Sequence, residues 1–208
     1  MGRCVIVGGA DIRDYANVKK HLNTEDYCVF CDSGLKHLDK LGVAPDLIVG
    51  DFDSHKNPCI DTETIVLPCE KDDTDTMFAL KEGIRRGFEE FLLVGVVGQR
   101  FDHTMGNISA LLYLDSRGKK GTVIDDYSEM SVVSAERVCV TDDYPYFSLL
   151  NISGVAKGVT IENAKYTLCD AQIDCEYQYG ISNEVIKNKT ATISVKEGRL
   201  LLVKIRKS

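Results

Sequence analysis

The sequence predicts an α/β domain built on a parallel sheet, followed by an all-β sandwich. Two observations support this, and a third joins the parts. Up to about residue 128, short apolar runs alternate with stretches of helical spacing, the pattern of a parallel sheet with helices on both faces. Beyond it the runs are short, β-rich and separated by turn residues, with no long helical pattern. No Pro- or Ser-rich linker separates the parts, so 1–128 and 129–208 are expected to pack closely.

Arg3–Val7 reads as a buried strand ending in Gly8-Gly9-Ala10, and Tyr27–Cys31 as a second, followed by Asp32-Ser33-Gly34 and helical spacing through Leu35, Leu38 and Leu41. Asp46–Val49 is a third strand running into Gly50-Asp51, and Thr62–Leu67 a fourth. Thr74–Arg86 has helical spacing and stops at Gly87, a plausible C-terminal cap. Phe91–Val97 is the most apolar run and suits a central strand. Asp102–Leu114 is the next helix and Thr122–Ile124 the last strand of the first part. The second part, about 80 residues, is small for independent stability. Its strands are expected at Met130–Val133, Arg137–Val140, Tyr146–Ile152, Val159–Glu162, Thr190–Val195 and Arg199–Ile205, with a closing hairpin turning at Glu197-Gly198.

Composition narrows the function. Of 208 residues, 44% are hydrophobic and 27% charged, as in a soluble globular protein. No basic-then-apolar leader and no uncharged apolar run of ~18 residues is present, so neither export nor a membrane is expected. The eight cysteines are then best read as reduced thiols in a cytoplasm. Cys28 and Cys31 form a CxxC, but on a strand they point to opposite faces, which favours plain core residues over zinc or redox chemistry. A net charge of −7 without a basic stripe argues against nucleic acid. It still allows phosphate binding through a metal ion.

In an open α/β sheet, ligands bind beyond the carboxyl ends of the strands. The polar residues of the first part gather at those ends. Asp51 and Asp53, two apart on extended chain, face one side, and their hard oxygens suit Mg²⁺, which takes one or two carboxylates plus substrate phosphates. A solvated turn is the plain alternative, and the neighbouring strand ends weigh against it. In Lys71-Asp72-Asp73-Thr74-Asp75 a helix start explains Asp72 and Asp73, with Thr74 or Asp73 as N-cap, while Asp75 can project into the crevice as a metal ligand. Arg100 is either a phosphate fork or a surface ion pair. Asp102 and Asn107 cap or line the following helix, and His103 can be a helix-surface residue. No GxxxxGK[ST], complete GxGxxG, GxSxG or HExxH is present. Carboxylates, metal and arginine without an obvious nucleophile point to phosphoryl-type transfer.

These residues carry a resemblance. Gly8-Gly9, Asp32-x-Gly34, Pro45-Asp46, Asp51-Phe52-Asp53-Ser54, Lys71 with Thr74-Asp75, Gly95 and Gly98 with Arg100, Asp102 and His103, and Gly180-Ile181-Ser182-Asn183-Glu184 together resemble the bacterial thiamine pyrophosphokinases over nearly the whole chain. The resemblance implies an α/β domain followed by a β-sandwich, a homodimer, and transfer of the β,γ-pyrophosphoryl group of ATP to the hydroxyl of thiamine with release of AMP. It implies Asp51, Asp53 and Asp75 at Mg²⁺ and the phosphates, with Asp32 nearby. Arg100, Asp102 and Asn107 would hold the nucleotide, and Ser182 and Asn183 would contact thiamine, which no feature of the residues alone indicates. The site would be composite, the β domain of one subunit closing over a crevice. Two departures stand out: Gln99 replaces a usual Gly, and Cys31-Asp32-Ser33-Gly34 replaces Ala-Asp-Gly-Gly. Both put side chains where backbone can approach a ligand. Either Asp75 or Asp53 could accept the hydroxyl proton. A pyrophosphokinase for a pterin or another alcohol, and a non-catalytic nucleotide or metal sensor, are the alternatives.

Overall fold

The computed structural model describes residues 2–52, 61–68, 70 and 72–206. The chain divides into two compact units, Met1–Asp126 and Tyr127–Ser208.

The first unit holds β1 (Cys4–Val7), α1 (Tyr15–Lys20), β2 (Tyr27–Cys31), a 3-10 helix (Asp32–His37) running into α2 (Leu38–Leu41), β3 (Leu47–Gly50), β4 (Glu63–Val66), α3 (Asp75–Arg85), β5 (Glu90–Val94), α4 (Phe101–Asp115) and β6 (Lys120–Ile124). Its strands pair in parallel in the order β4-β3-β2-β1-β5-β6. Cys4–Val7 is entirely buried, as expected for a central strand covered on both faces. Alternate residues serve opposite faces. Val5 and Val7 join Phe30, Leu92 and Val94 in a cluster closed by Val18 and Leu41 of the short helices. On the other face Gly83 of α3 lies against Cys4 and Phe91, and α4 packs on β6. The C-terminal end of α3 is tied down by charge. Glu82, 8% exposed, accepts from both Arg85 and Arg86, and Arg86 also reaches Glu63 on β4 and the Tyr27 hydroxyl on β2. No helix among the described residues is long and apolar enough to cross a membrane.

The second unit contains β7 (Ser128–Val133), β8 (Val138–Thr141), β9 (Tyr146–Asn151), β10 (Val155–Glu162), β11 (Leu168–Asp174), β12 (Thr190–Ser194) and β13 (Leu200–Ile205). In it β13 lies between β7 and β9, and a four-stranded sheet runs β11-β10-β12-β8. Both sheets feed one core, Phe147, Leu149, Leu200 and Leu202 from the first and Val159, Ile161, Ala191 and Ile193 from the second. This is a β-sandwich. The expected hairpin at Glu197-Gly198 does not form: β12 and β13 lie in different sheets. The intervening residues pair instead with Lys157 of β10, through Lys157 N to the Glu197 carbonyl (2.9 Å) and Lys196 N to the Lys157 carbonyl (3.1 Å), and carry the chain across the sandwich.

Candidate active site

In the first unit, β2, β3 and β4 follow outward from β1 on one side, and the chain then returns to place β5 and β6 on the other. The connections after β1 and β5 therefore lead to opposite sides of the sheet, a switch point at which a crevice opens beyond the carboxyl ends of the strands. Just past the strands the two backbones stay in contact, with Gly8 N on the Val94 carbonyl (2.9 Å) and Ala10 N on the Gly95 carbonyl (2.7 Å). A cleft of about 470 Å³ lies there, walled by residues that follow β1, β2, β3 and β5 and by the start of α3.

One side is acidic. Asp32 opens the 3-10 helix and is 5% exposed, and a Cβ on Gly50 would come within 2.7 Å of the Asp32 Cβ, so glycine at the end of β3 lets Asp32 sit over it. Asp51 follows directly and also lines the cleft. The next residue, Phe52, holds φ +55, a left-handed conformation uncommon for a bulky residue and typical of shaped functional turns. Asp75 is the first residue of α3, and Thr74 is its N-cap, the hydroxyl accepting from Met77 N at 3.2 Å. Asp73 is turned to Lys81 (2.7 Å). Cys31 lines the same cleft. Its thiol is pushed up first by burial and then by the charge of Asp75, with Asp32 adding to it, against a hydrogen bond to Thr76. Burial likewise pushes Cys28 up to about 12, so the CxxC thiols are protonated core groups, and all six described cysteines are unbridged. Asp53, Ser54 and Lys71 lie outside the described residues.

Among the described residues no three His, Cys, Asp or Glu side chains gather tightly enough to enclose a metal ion. Mg²⁺ does not require that. It keeps water and takes one or two carboxylates plus phosphate oxygens, so the donor chemistry of Asp51 and Asp75 in one cleft fits it.

The other side is cationic. Arg100 lines the cleft and is paired through two of its three guanidinium nitrogens with Asp102, Nε to Oδ1 at 3.0 Å and Nη2 to Oδ2 at 2.7 Å, and this partner holds the Asp102 carboxyl well below the usual carboxylate range. Asp102 itself is outside the cleft lining. Asn107 lines it and steadies the wall by donating to the Val96 carbonyl at 2.8 Å. Thr104 does the same for Gly98, whose N–H it accepts at 3.1 Å.

Two further lining residues and one behind the wall complete the surroundings. Ser33 packs its hydroxyl where a Cβ on Gly9 would stand, 1.8 Å away, so the departure at Ser33 fills the space left by a glycine. Lys36 reaches Asp11 at 2.8 Å across the mouth. Behind the wall, His37, 1% exposed, donates from Nε2 to the Ala10 carbonyl at 2.8 Å. A carbonyl only accepts, so Nδ1 is left to accept from the Tyr15 hydroxyl at 2.7 Å. Ser33 is visible in the sequence as a departure from the family pattern, whereas Lys36 and His37 are single polar residues inside an apolar helix pattern and have no spacing signature.

Ser182 and Asn183 belong to the second unit. Ser182 is exposed with φ +58, and its N–H donates to Ser148 Oγ at 3.0 Å. Asn183 is buried and engages both ends of its amide: Oδ1 accepts from Tyr166 N (3.0 Å) and Glu184 N (2.9 Å), and Nδ2 donates to the Tyr166 carbonyl (2.7 Å).

A family model described as thiamin pyrophosphokinase, catalytic domain, matches residues 18–123, and one described as thiamin pyrophosphokinase, vitamin B1 binding domain, matches 136–200. The chain is 27% identical over 181 residues to a thiamine pyrophosphokinase of Bacillus subtilis (strain 168), covering 83% of this chain and 84% of that one. Among solved structures it is similar to the Bacillus subtilis thiamine pyrophosphokinase (TM-score 0.87, 22% identity, all of both chains). It is also similar to the Geobacillus thermodenitrificans thiamin pyrophosphokinase (TM-score 0.84, 27% identity, 99% and 98% covered) and to the one from Candida albicans (TM-score 0.78, 14% identity, 99% and 89% covered).

Proposed function

The chain belongs to the thiamin pyrophosphokinase family, and we propose that its first unit carries out the family reaction, transfer of a pyrophosphoryl group from ATP to thiamine with release of AMP. The observation that carries this reading is the convergence of Asp32, Asp51 and Asp75 with Arg100 around one cleft at the β1/β5 switch point. The family match over 136–200 favours thiamine over a pterin as acceptor.

Asp51 and Asp75, with Asp53, would hold Mg²⁺, which when bound neutralises phosphate charge and polarises the phosphorus under attack. The protein's own part is positioning. The Gly8-Gly9 backbone allows close approach at the switch point. Asn107 and Thr104 fix the wall beside it. Arg100 presents a planar fork to phosphate oxygens, and Asp102 sets its orientation. Asp75, at the N-terminus of α3, or Asp53 accepts the proton leaving the thiamine hydroxyl. On the acceptor side, Ser182 offers an exposed hydroxyl, and Asn183 shapes the turn that presents it. The same reading carries a homodimer and a cytoplasmic location.

Asp51→Asn and Asp75→Asn are expected to lower AMP release with ATP, Mg²⁺ and thiamine by about 100-fold or more, with melting temperatures near that of the parent. Full AMP release from normally folded variants would contradict the assignment.

A further inference from the structure

We propose that Lys36 is a polyphosphate-binding residue of this cleft, held on Asp11 until the nucleotide's phosphates take that carboxylate's place. The inference rests on the reading of the cleft as an ATP site. Of the described residues lining it, Lys36 and Arg100 are the two that carry a permanent positive charge. Asp32, Asp51 and Asp75 line the same cleft, and a polyanion entering beside those carboxylates needs fixed cations within reach.

The two cations are held differently. Arg100 makes two parallel hydrogen bonds to the two oxygens of Asp102, in a pair whose side chains are 71% and 65% exposed. Lys36 makes a single contact, Nζ to Asp11 Oδ1 at 2.8 Å, with its side chain 37% and that of Asp11 62% exposed. An exposed one-point pair of this kind is weak and screened by salt, so exchanging its carboxylate for a phosphate costs little. Lys36 rides on the same short helix as Asp32, and its four-carbon stem can sweep from the mouth towards the interior. Asp11 follows Ala10 in the wall and also receives Gln99 Nε2 at 3.5 Å. Asp11 thus gathers one side chain from the loop after β5 and one from the helix after β2, the two walls a bound polyphosphate would touch. Gln99 is also one of the two departures from the family pattern.

Calorimetric titration of Mg·ATP into the parent chain, Lys36→Met and Asp11→Asn tests this. Lys36→Met is expected to weaken the Kd about tenfold, as loss of one charged hydrogen bond does, and to make it less sensitive to added salt. Asp11→Asn, which frees Lys36, is expected to bind Mg·ATP as tightly as the parent or more tightly. If Lys36→Met binds like the parent, or if both variants weaken together as removal of a structural clasp would, the proposal is overturned. AMP release by the parent with thiamine is measured in parallel. Its failure would count against the reaction, whereas the Kd comparison decides Lys36 either way.

Discussion

His37 shows how a residue outside every motif can shape the cleft. Burial holds its imidazole below the ordinary value; Lys36 and Lys40 push the same way, while the Ala10 carbonyl and Asp11 oppose them. Tyr15 completes its surroundings through the hydrogen bond to Nδ1. The folded state therefore binds a proton less readily than the unfolded chain, whose histidine titrates near 6.5. The stability this contributes is complete above that value and is lost as the pH falls through the depressed folded one. Replacing His37 with Gln keeps an amide donor for Ala10 and removes the titration. Between about pH 7 and about pH 5 the melting temperature of the parent should fall more than that of the variant. Parallel curves would contradict this role. The carboxylates were legible in the sequence because Asp32, Asp51 and Asp75 each follow a strand or open a helix, where topology dictates convergence. Ser33 was legible only as a departure from the family pattern, and Lys36 and His37 were not legible, because their importance lies in contacts across loops.

At the scale of elements, α3 links fold to site. Its apolar face, with Ala79 and Leu80 fully buried, fixes it against the sheet, and the Thr74 cap fixes where it starts and hence where Asp75 points. Thr74→Ala should cost about 1 kcal/mol in urea unfolding, and Thr74→Ser should recover most of it. Equal stability of all three proteins would show that the cap is not needed. The long elements were legible because their periodicity is strong. By contrast α1 spans six residues with only Asn17 and Val18 buried, and in β11 only Ile173 is buried, so neither leaves a clear pattern. The false hairpin has a different cause. Two apolar runs around Glu197-Gly198 look the same locally whether the chain folds back in one sheet or crosses to the other, and only the pairing of Lys157 with Lys196 and Glu197 decides.

At the scale of the whole molecule, two units with separate cores each match one part of a two-part family pattern. The α/β-then-β order was readable from the change in periodicity. The acceptor was not, since Ser182 sits in a turn with no chemistry of its own and Asn183 is spent on backbone. Pyrophosphoryl transfer within a metal-assisted cleft is the central claim, and it differs from ordinary phosphoryl transfer in its products. Incubating the chain with ATP, Mg²⁺ and thiamine should yield thiamine diphosphate and AMP in equal amounts. Formation of ADP with thiamine monophosphate, or nucleotide binding without turnover of thiamine, would contradict it.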